Sequence, residues 1–517
     1  MKKAFPFQRD IGALRDGSFD LLVIGGGIYG AWAAYDAASR GLSVALVEKS
    51  DWGAGTSSAS SKLIHGGLRY LEQYEFGLVR HALRERRTLF RIAPHLVRPL
   101  NFYLPMWKGG RVGRPMIAAG LTLYDLMAIG HQPVSRHRYF GRRQLLSDYP
   151  FVDPEGLLGA FRYGDCQEDD ARVNLLVAAS AQAFGAVCAN RVEALSLLDD
   201  GKGRVCGAQV RDLAGDETFD LRAKVVVNAA GPWAPFLPGA AAPKVTLIKG
   251  THLVLPAVPG CNDAFLLTAK DGRVFFVIPW YGRTLVGTTE EEVRHPSEAQ
   301  PTDEETRYLL DGVRRGMPGI GWTEADVIGR FAGVRMLQAV DAESLSAVTR
   351  DFEVLNPRPG LLMHVGGKYT TARFDSQSIV DKVYAQLGSR APAPVTQLHP
   401  LPGAPQEMFE TWQSQAIAQL AQAGVDLEAA RWLSQRHGTG IEAMLALIAA
   451  RPALAARIHP DAPFVAAEAV HAVRAEMAST VEDVARRRMP LSLLVAGDGW
   501  RSAVTDLLRG EPGFDAS

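Results

Sequence analysis

The chain has 517 residues, 47% of them hydrophobic and 22% charged, which is enough length and apolar content for two or three domains with sizeable cores. Its 56 basic and 56 acidic residues cancel, so no global field recruits nucleic acid or an acidic polymer, and any recognition of an anion must be local. Cys166, Cys188, Cys206 and Cys261 show no CxxC spacing, which argues against an iron–sulfur cluster, a structural zinc or other metal site and a redox-active disulfide. With no secretory pattern ahead of the first strand, a reducing cytoplasm is the expected setting.

The first predicted unit is the most informative. Leu21 to Ile24 is a buried apolar strand, Gly25-Gly26-Gly27-Ile28-Tyr29-Gly30 opens a small-residue helix, Gly41 stops it, and Val44 to Val47 is a second strand ending in Glu48. This is a dinucleotide-binding βαβ unit: Gly25 makes the tight turn, Gly27 admits a pyrophosphate, Gly30 lets helix and strand approach, and Glu48 reaches a ribose hydroxyl pair. The fingerprint by itself does not distinguish NAD from FAD.

Thr56 to Ser61 follows with five hydroxyls in six positions, able to offer hydroxyl and N–H groups to phosphates. In His65-Gly66-Gly67-Leu68-Arg69-Tyr70 the glycine pair permits close approach to a planar ring, and Arg69 and Tyr70 face whatever lies against it. Met116 to Ile129 is the longest apolar run, interrupted by Asp125 and flanked by Arg111, Arg114, Arg136, Arg138, Arg142 and Arg143. It falls short of the roughly 20 residues that span a bilayer. Two readings stand: a helix lying in a membrane interface, or a packed helix of a cap domain.

Lys224 to Asn228 reads as a strand buried on both faces, as parallel sheets require, ending in Ala229-Ala230-Gly231-Pro232-Trp233. Thr251 to Leu255, Val274 to Ile278 and Thr284 to Gly287 read as antiparallel strands of a substrate domain. Arg335 and Arg350 stand among small or apolar neighbours, and Gly366-Gly367-Lys368 again ends a strand in glycines at a helix start, where negative charge on a reduced flavin is stabilised. Arg69, Arg335, Arg350 and Lys368 converging would suit a phosphorylated substrate. His65 and His252 are both candidates for taking a hydroxyl proton, and Arg335 for stabilising an alkoxide. Five prolines between Gly388 and Gln406 mark a linker, and the remainder is helical, with a capping box at Thr480 and Asp483.

The glycine fingerprint, Thr56 through Glu72, Asn228 to Trp233, Gly333-Val334-Arg335, Thr349-Arg350-Asp351, Gly366-Gly367-Lys368 and Glu482 to Arg488 occur in the order of the FAD-dependent glycerol-3-phosphate dehydrogenase family, which the chain resembles from about Asp20 to Arg488. The resemblance implies an α/β fold: a glutathione-reductase-like FAD domain in three pieces (19–97, 166–234, 336–387), a cap or substrate segment (98–165), an inserted antiparallel substrate domain (235–335), a linker (388–406) and a C-terminal helical domain (407–517). It implies oxidation of sn-glycerol 3-phosphate to dihydroxyacetone phosphate, with hydride passing from C2 to flavin N5 and electrons to a quinone, at the cytoplasmic face of the membrane and with homodimer contacts open. The implied substrate set is Arg69, Tyr70, Arg335, Arg350 and Lys368. The implied FAD set is Gly25, Gly27, Gly30, Glu48, Thr56, Ser57, Ser61, Lys62, Leu63, His65, Gly66, Gly231, Gly367, Lys368 and Thr370.

The chain departs from the family pattern at Met336, Ala372 and Glu290, and Tyr29 and Trp32 are bulkier than usual beside the fingerprint. These departures leave open a related polyol phosphate such as erythritol phosphate, oxygen as acceptor, or a flavin-binding protein without turnover.

Overall fold

The structure is a computed structural model that describes residues 5–72, 74–110, 112–130, 133–240, 244–338 and 352–515, with Arg69 described by its backbone alone. A six-stranded path at the centre runs, in spatial order, Glu353–Arg358, Leu361–Val365, Glu217–Asn228, Ser18–Ile24, Val44–Glu48 and Val187–Asn190. Every pairing inward from Leu361–Val365 is parallel, and Leu21, Leu22, Val23, Val225, Val226 and Val227 are fully buried. Continuous apolar runs form these strands because both faces are covered. On one face lie the helices Ile28–Ser39, Asp170–Ala183 and Ala372–Gln386, the first seated close through Ala31, Ala34 and Ala38. Val192–Asp199 and Val205–Asp212 extend the sheet as an antiparallel meander onto the start of Glu217–Asn228.

The second sheet has ten strands. Its path is Glu291–Val293, Val245–Pro256, Arg283–Gly287, Val274–Trp280, Ala264–Thr268, Arg98–Trp107, Leu157–Gln167 and Leu63–Ile64, with Gly329–Gln338 and Arg138–Gly141 joining at Val245–Pro256 and Leu157–Gln167. The cap segment and the antiparallel substrate domain, expected as separate pieces, are therefore one sheet. A short parallel pairing, Ala264 with Phe102 and Phe265 with Tyr103, joins them. Gly329–Gln338 also runs across the expected boundary at 335, because its whole length pairs with Val245–Pro256.

Helix Arg114–Met127 covers most of the apolar run and divides it between a packed and an exposed side. Leu121 and Tyr124 pack inward, while Met116 (69% exposed), Leu126 (57%) and Ile129 (59%) face outward. Beside it, helix Phe76–Ile92 exposes Arg80, Arg84, Arg87 and Arg91. Among the described residues no helix is long and apolar enough to cross a membrane.

The C-terminal part is helical, with Phe409–Gln422, Leu427–His437, Ile441–Ala450, Ala466–Ala475 and Gly499–Leu508 around a shared core. The proline-rich segment before it is docked along its length rather than swinging free: the Leu401 N–H donates to Ile92 O (2.7 Å), and buried Thr396 receives Arg373 (3.1 Å). Charge pairs fix this domain to the first. Asp51, fully buried, accepts from Arg487 (2.5 Å) and Arg488 (2.6 and 2.9 Å), which hold its carboxyl down at about 2 against its burial. Arg172 donates to both oxygens of Glu476 (2.8 and 2.7 Å), and within the C-terminal domain itself Arg436 pairs with Glu468. His437, His471 and Glu476 bring ligand-type atoms within 4.8 Å of one another, but the Arg172 guanidinium already fills Glu476.

Candidate functional site

A cleft of about 690 Å³ runs from the carboxyl ends of the parallel strands to the second sheet. Such a crevice is where doubly wound sheets take nucleotides. At its nucleotide end Gly25 has φ +109, and a Cβ there would lie 2.6 Å from Ala229 O; one on Gly30 would lie 1.9 Å from Gly25 O. Gly27 stands at the N-cap of Ile28–Ser39 and lines the cleft together with Ile28 and Tyr29, so the helix start faces it. Glu48 lines the cleft and accepts N–H groups from Gly26 (2.7 Å) and Ser50 (2.8 Å), which orient its carboxylate; burial pushes its pKa up. Gly231 has φ +54, and nothing lies within 4 Å of where a Cβ would stand. These are the features of a cradle for a dinucleotide such as FAD.

The serine-rich segment is largely engaged in holding neighbouring parts of the chain. Ser57 Oγ accepts the Ile28 N–H (2.8 Å), Thr56 Oγ1 donates to Val334 O, and Ser60 donates to Asp170 (2.7 Å). Thr56, Ser57, Ser61 and Leu63 all line the cleft. The Lys62 side chain does not. Its backbone sits at φ +60, which turns the side chain inward, where Nζ donates to Asp170 (2.7 and 2.8 Å) and Ser58 O (2.7 Å). Gly66 also differs from its expected approach to a planar ring. It packs beneath helix Arg114–Met127, its N–H reaching Tyr124 Oη (2.9 Å), where a Cβ would come within 2.4 Å of that hydroxyl.

The other end of the cleft collects the side chains with chemistry. Lys368 Nζ sits 3.2 Å from the centroid of the Tyr70 ring, at the turn formed by Gly366 (φ +73) and Gly367 (φ +88). Arg335 enters from Gly329–Gln338, with Thr288 Oγ1 at 3.5 Å and Glu290 Oε1 at 3.8 Å. His65 lines the same space, its N–H donating to Thr370 Oγ1 (3.3 Å) and its ring edge-on to Phe276. His252 is buried, stacked on Phe331 (5.0 Å between centroids), with Nε2 at 2.9 Å from Ser61 Oγ. Among the described residues its Nδ1 has no partner. Burial, then Arg335 and Lys62, drive its pKa well below 6.5, so it is a neutral imidazole. Gly287 is its strand partner, and a Cβ there would meet the ring at 2.4 Å.

Tyr70, Arg335, Lys368, His65 and His252 thus share one cleft, while Arg350 and the Arg69 side chain lie outside the described residues. The sequence reading missed the Ser61–His252 contact, the Thr288 and Glu290 supports of Arg335, and the role of Tyr29. Its hydroxyl lies at the Lys368 turn, 2.8 Å from Lys368 N. The bulk of Tyr29 within a glycine fingerprint was the available signal.

Comparison with known proteins gives a consistent account. Residues 20–373 match the model of the FAD dependent oxidoreductase family, and 394–517 that of the C-terminal domain of alpha-glycerophosphate oxidase. The chain is 38% identical over 499 residues to "Glycerol-3-phosphate dehydrogenase 2" of Mycobacterium tuberculosis, covering 94% of this chain and 84% of that one. It is 34% identical over 516 residues to "Glycerol-3-phosphate dehydrogenase" of Synechocystis sp., covering 95% and 92%. Among solved structures, the glycerol-3-phosphate dehydrogenase from Bacillus halodurans complexed with FAD superposes with a TM-score of 0.78 at 28% identity, covering 96% and 92%.

Proposed function

Because the chain belongs to the FAD-dependent glycerol-3-phosphate dehydrogenase family, we propose that it oxidises sn-glycerol 3-phosphate to dihydroxyacetone phosphate and delivers the electrons to a membrane quinone. The observation that carries this reading is the meeting of Lys368, Arg335 and a neutral His252 at the far end of a dinucleotide cradle. The Gly25–Gly27 turn, Glu48, Gly231 and the Gly367 turn would hold FAD, which when bound would supply the hydride acceptor for the hydrogen on the substrate's C2.

The residues divide the remaining work. Lys368 binds the phosphate as a point charge against the Tyr70 ring, with Arg69 and Arg350 as further phosphate ligands. Arg335, steadied by Thr288 and Glu290, stabilises negative charge growing on the C2 oxygen. His252 takes the hydroxyl proton as the carbonyl forms. Donation from Nε2–H to Ser61 leaves the Nδ1 lone pair as the accepting site, and the depressed pKa keeps that lone pair available. His65, on the same wall, is the competing base.

The exposed apolar face of Arg114–Met127 and the arginines of Phe76–Ile92 support attachment to an anionic bilayer at the cytoplasmic face, where a quinone is within reach. Anaerobic titration tests the reaction: glycerol 3-phosphate bleaches the oxidised flavin absorbance and unphosphorylated glycerol does not. Bleaching by erythritol phosphate alone transfers the assignment to a longer polyol, and no bleaching by either removes the catalytic reading.

A further inference from the structure

Tyr29 opens the helix that starts at the pyrophosphate turn, yet its hydroxyl ends at the opposite side of the cleft. It accepts the Lys368 N–H (2.8 Å) and donates to Asp375 Oδ2 (2.7 Å), which also receives Thr371 Oγ1 (2.7 Å). Its ring stacks on His364 at 3.9 Å between centroids, with Phe352 at 5.7 Å on a parallel plane. The fit is close enough to dictate Gly367: a Cβ there would come within 2.0 Å of the hydroxyl.

We propose that Tyr29 is a positioning residue that couples the two ends of the site, holding the Lys368 turn in the conformation that presents its ammonium to the substrate phosphate. The inference rests on the reading of Lys368 as a phosphate ligand. Its physical basis is that a single buried hydroxyl satisfies the backbone N–H of Lys368 and fills the space beneath Gly367, so the turn has one packed arrangement. Since Tyr29 lies two residues beyond Gly27, a cofactor that orders the pyrophosphate turn also orders the phosphate-binding turn. The second binding event then finds its site already formed.

The test uses the full-length FAD-loaded enzyme and two readouts: the dissociation constant of inorganic phosphate, from perturbation of the oxidised flavin spectrum, and KM and kcat with glycerol 3-phosphate. Tyr29→Phe keeps the ring and its stack and removes the hydroxyl. The expected result is phosphate binding weaker and KM higher by about three- to tenfold, the scale of one hydrogen bond, with kcat changed by less than about twofold. In a Lys368→Met background the same substitution adds nothing. Asp375→Asn, which leaves Tyr29 whole, gives a smaller loss of the same sign and decides the matter where Tyr29→Phe fails to retain FAD. Unchanged constants, or an equal loss in the Lys368→Met background, overturn the proposal. An enzyme that binds phosphate but whose flavin glycerol 3-phosphate does not bleach overturns the substrate reading alone, because the phosphate constants still judge Tyr29.

Discussion

The two halves of the nucleotide domain's periphery solve opposite problems. At the nucleotide end of the cleft, recognition is built mainly from backbone, with Gly25, Gly27 and Gly231 at the turns and the helix start supplying N–H groups, while Lys368, Arg335 and a neutral His252 stand at the other end. At the junction with the C-terminal domain, charges are buried and paired, Asp51 with Arg487 and Arg488 and Arg172 with Glu476. The site that admits and releases charged molecules holds few charges, loosely supported, as Arg335 is by Glu290 at 3.8 Å, whereas the permanent contact buries its ions in close pairs. Removing one partner from the second kind of site leaves a buried charge exposed to nothing but protein.

The comparison breaks most sharply at Asp51. Asp51→Ala removes the carboxylate shared by two buried guanidinium groups, leaving Arg487 to Asp483 and Arg488 to Glu476, and should lower stability by about 3–5 kcal/mol, read from urea unfolding of the holoenzyme. The sign with pH follows from a carboxyl depressed from 3.8 to about 2: its contribution is present above the ordinary value and is lost as pH falls through about 2. An unfolding midpoint equal to that of the parent would show that the pairs do not hold the domains.

At the cleft, His252→Asn should slow anaerobic flavin reduction by roughly 10²- to 10⁴-fold while FAD stays bound. The His65→Asn rate decides between the two bases, since only one substitution should reach that range. With the His252 pKa well below 6.5, the acidic limb of the wild-type reduction rate should fall below the usual histidine range, and a limb within that range would count against His252 as the base. Gly30→Ala forces a Cβ to within 1.9 Å of Gly25 O, and overpacking on that scale costs about 1–3 kcal/mol, visible as lost flavin after gel filtration. The smallest effect is expected at the outer surface. Arg84→Gln and Arg91→Gln should each weaken binding to anionic vesicles by about 1 kcal/mol, and insensitivity to both would move the membrane contact elsewhere.

The pattern of what could be read from the residues follows the same division. Features that depend on a strand running into glycines were legible: the Gly25–Gly30 turn, Gly231 and the Lys368 turn all stand at the cleft, because apolar runs and glycines act locally. Lys62 was not, since nothing local announces that φ +60 turns its ammonium onto Asp170. Nor was Tyr29, whose partners Lys368 and Asp375 lie across the whole domain. The union of the cap and substrate strands hinged on two residue pairs, Ala264 with Phe102 and Phe265 with Tyr103, a register no periodicity encodes. The apolar run at Met116–Ile129 admitted two readings because its helix has two apolar faces, one packed and one exposed.

The central strand Glu217–Asn228 has its parallel neighbours at Ser18–Ile24 and Leu361–Val365, drawn from opposite ends of the oxidoreductase region. During synthesis at roughly 5–20 residues per second, the first of these leaves the ribosome on the order of tens of seconds before the last. Throughout that interval the nascent chain carries an unmated apolar edge, open to a holdase or to another chain. Arg487 and Arg488 arrive later still, so the clasp on Asp51 closes only after the C-terminal helices have begun to emerge. A chain interrupted before Arg487 would therefore carry Asp51 without its guanidinium partners, on the face where the C-terminal domain docks.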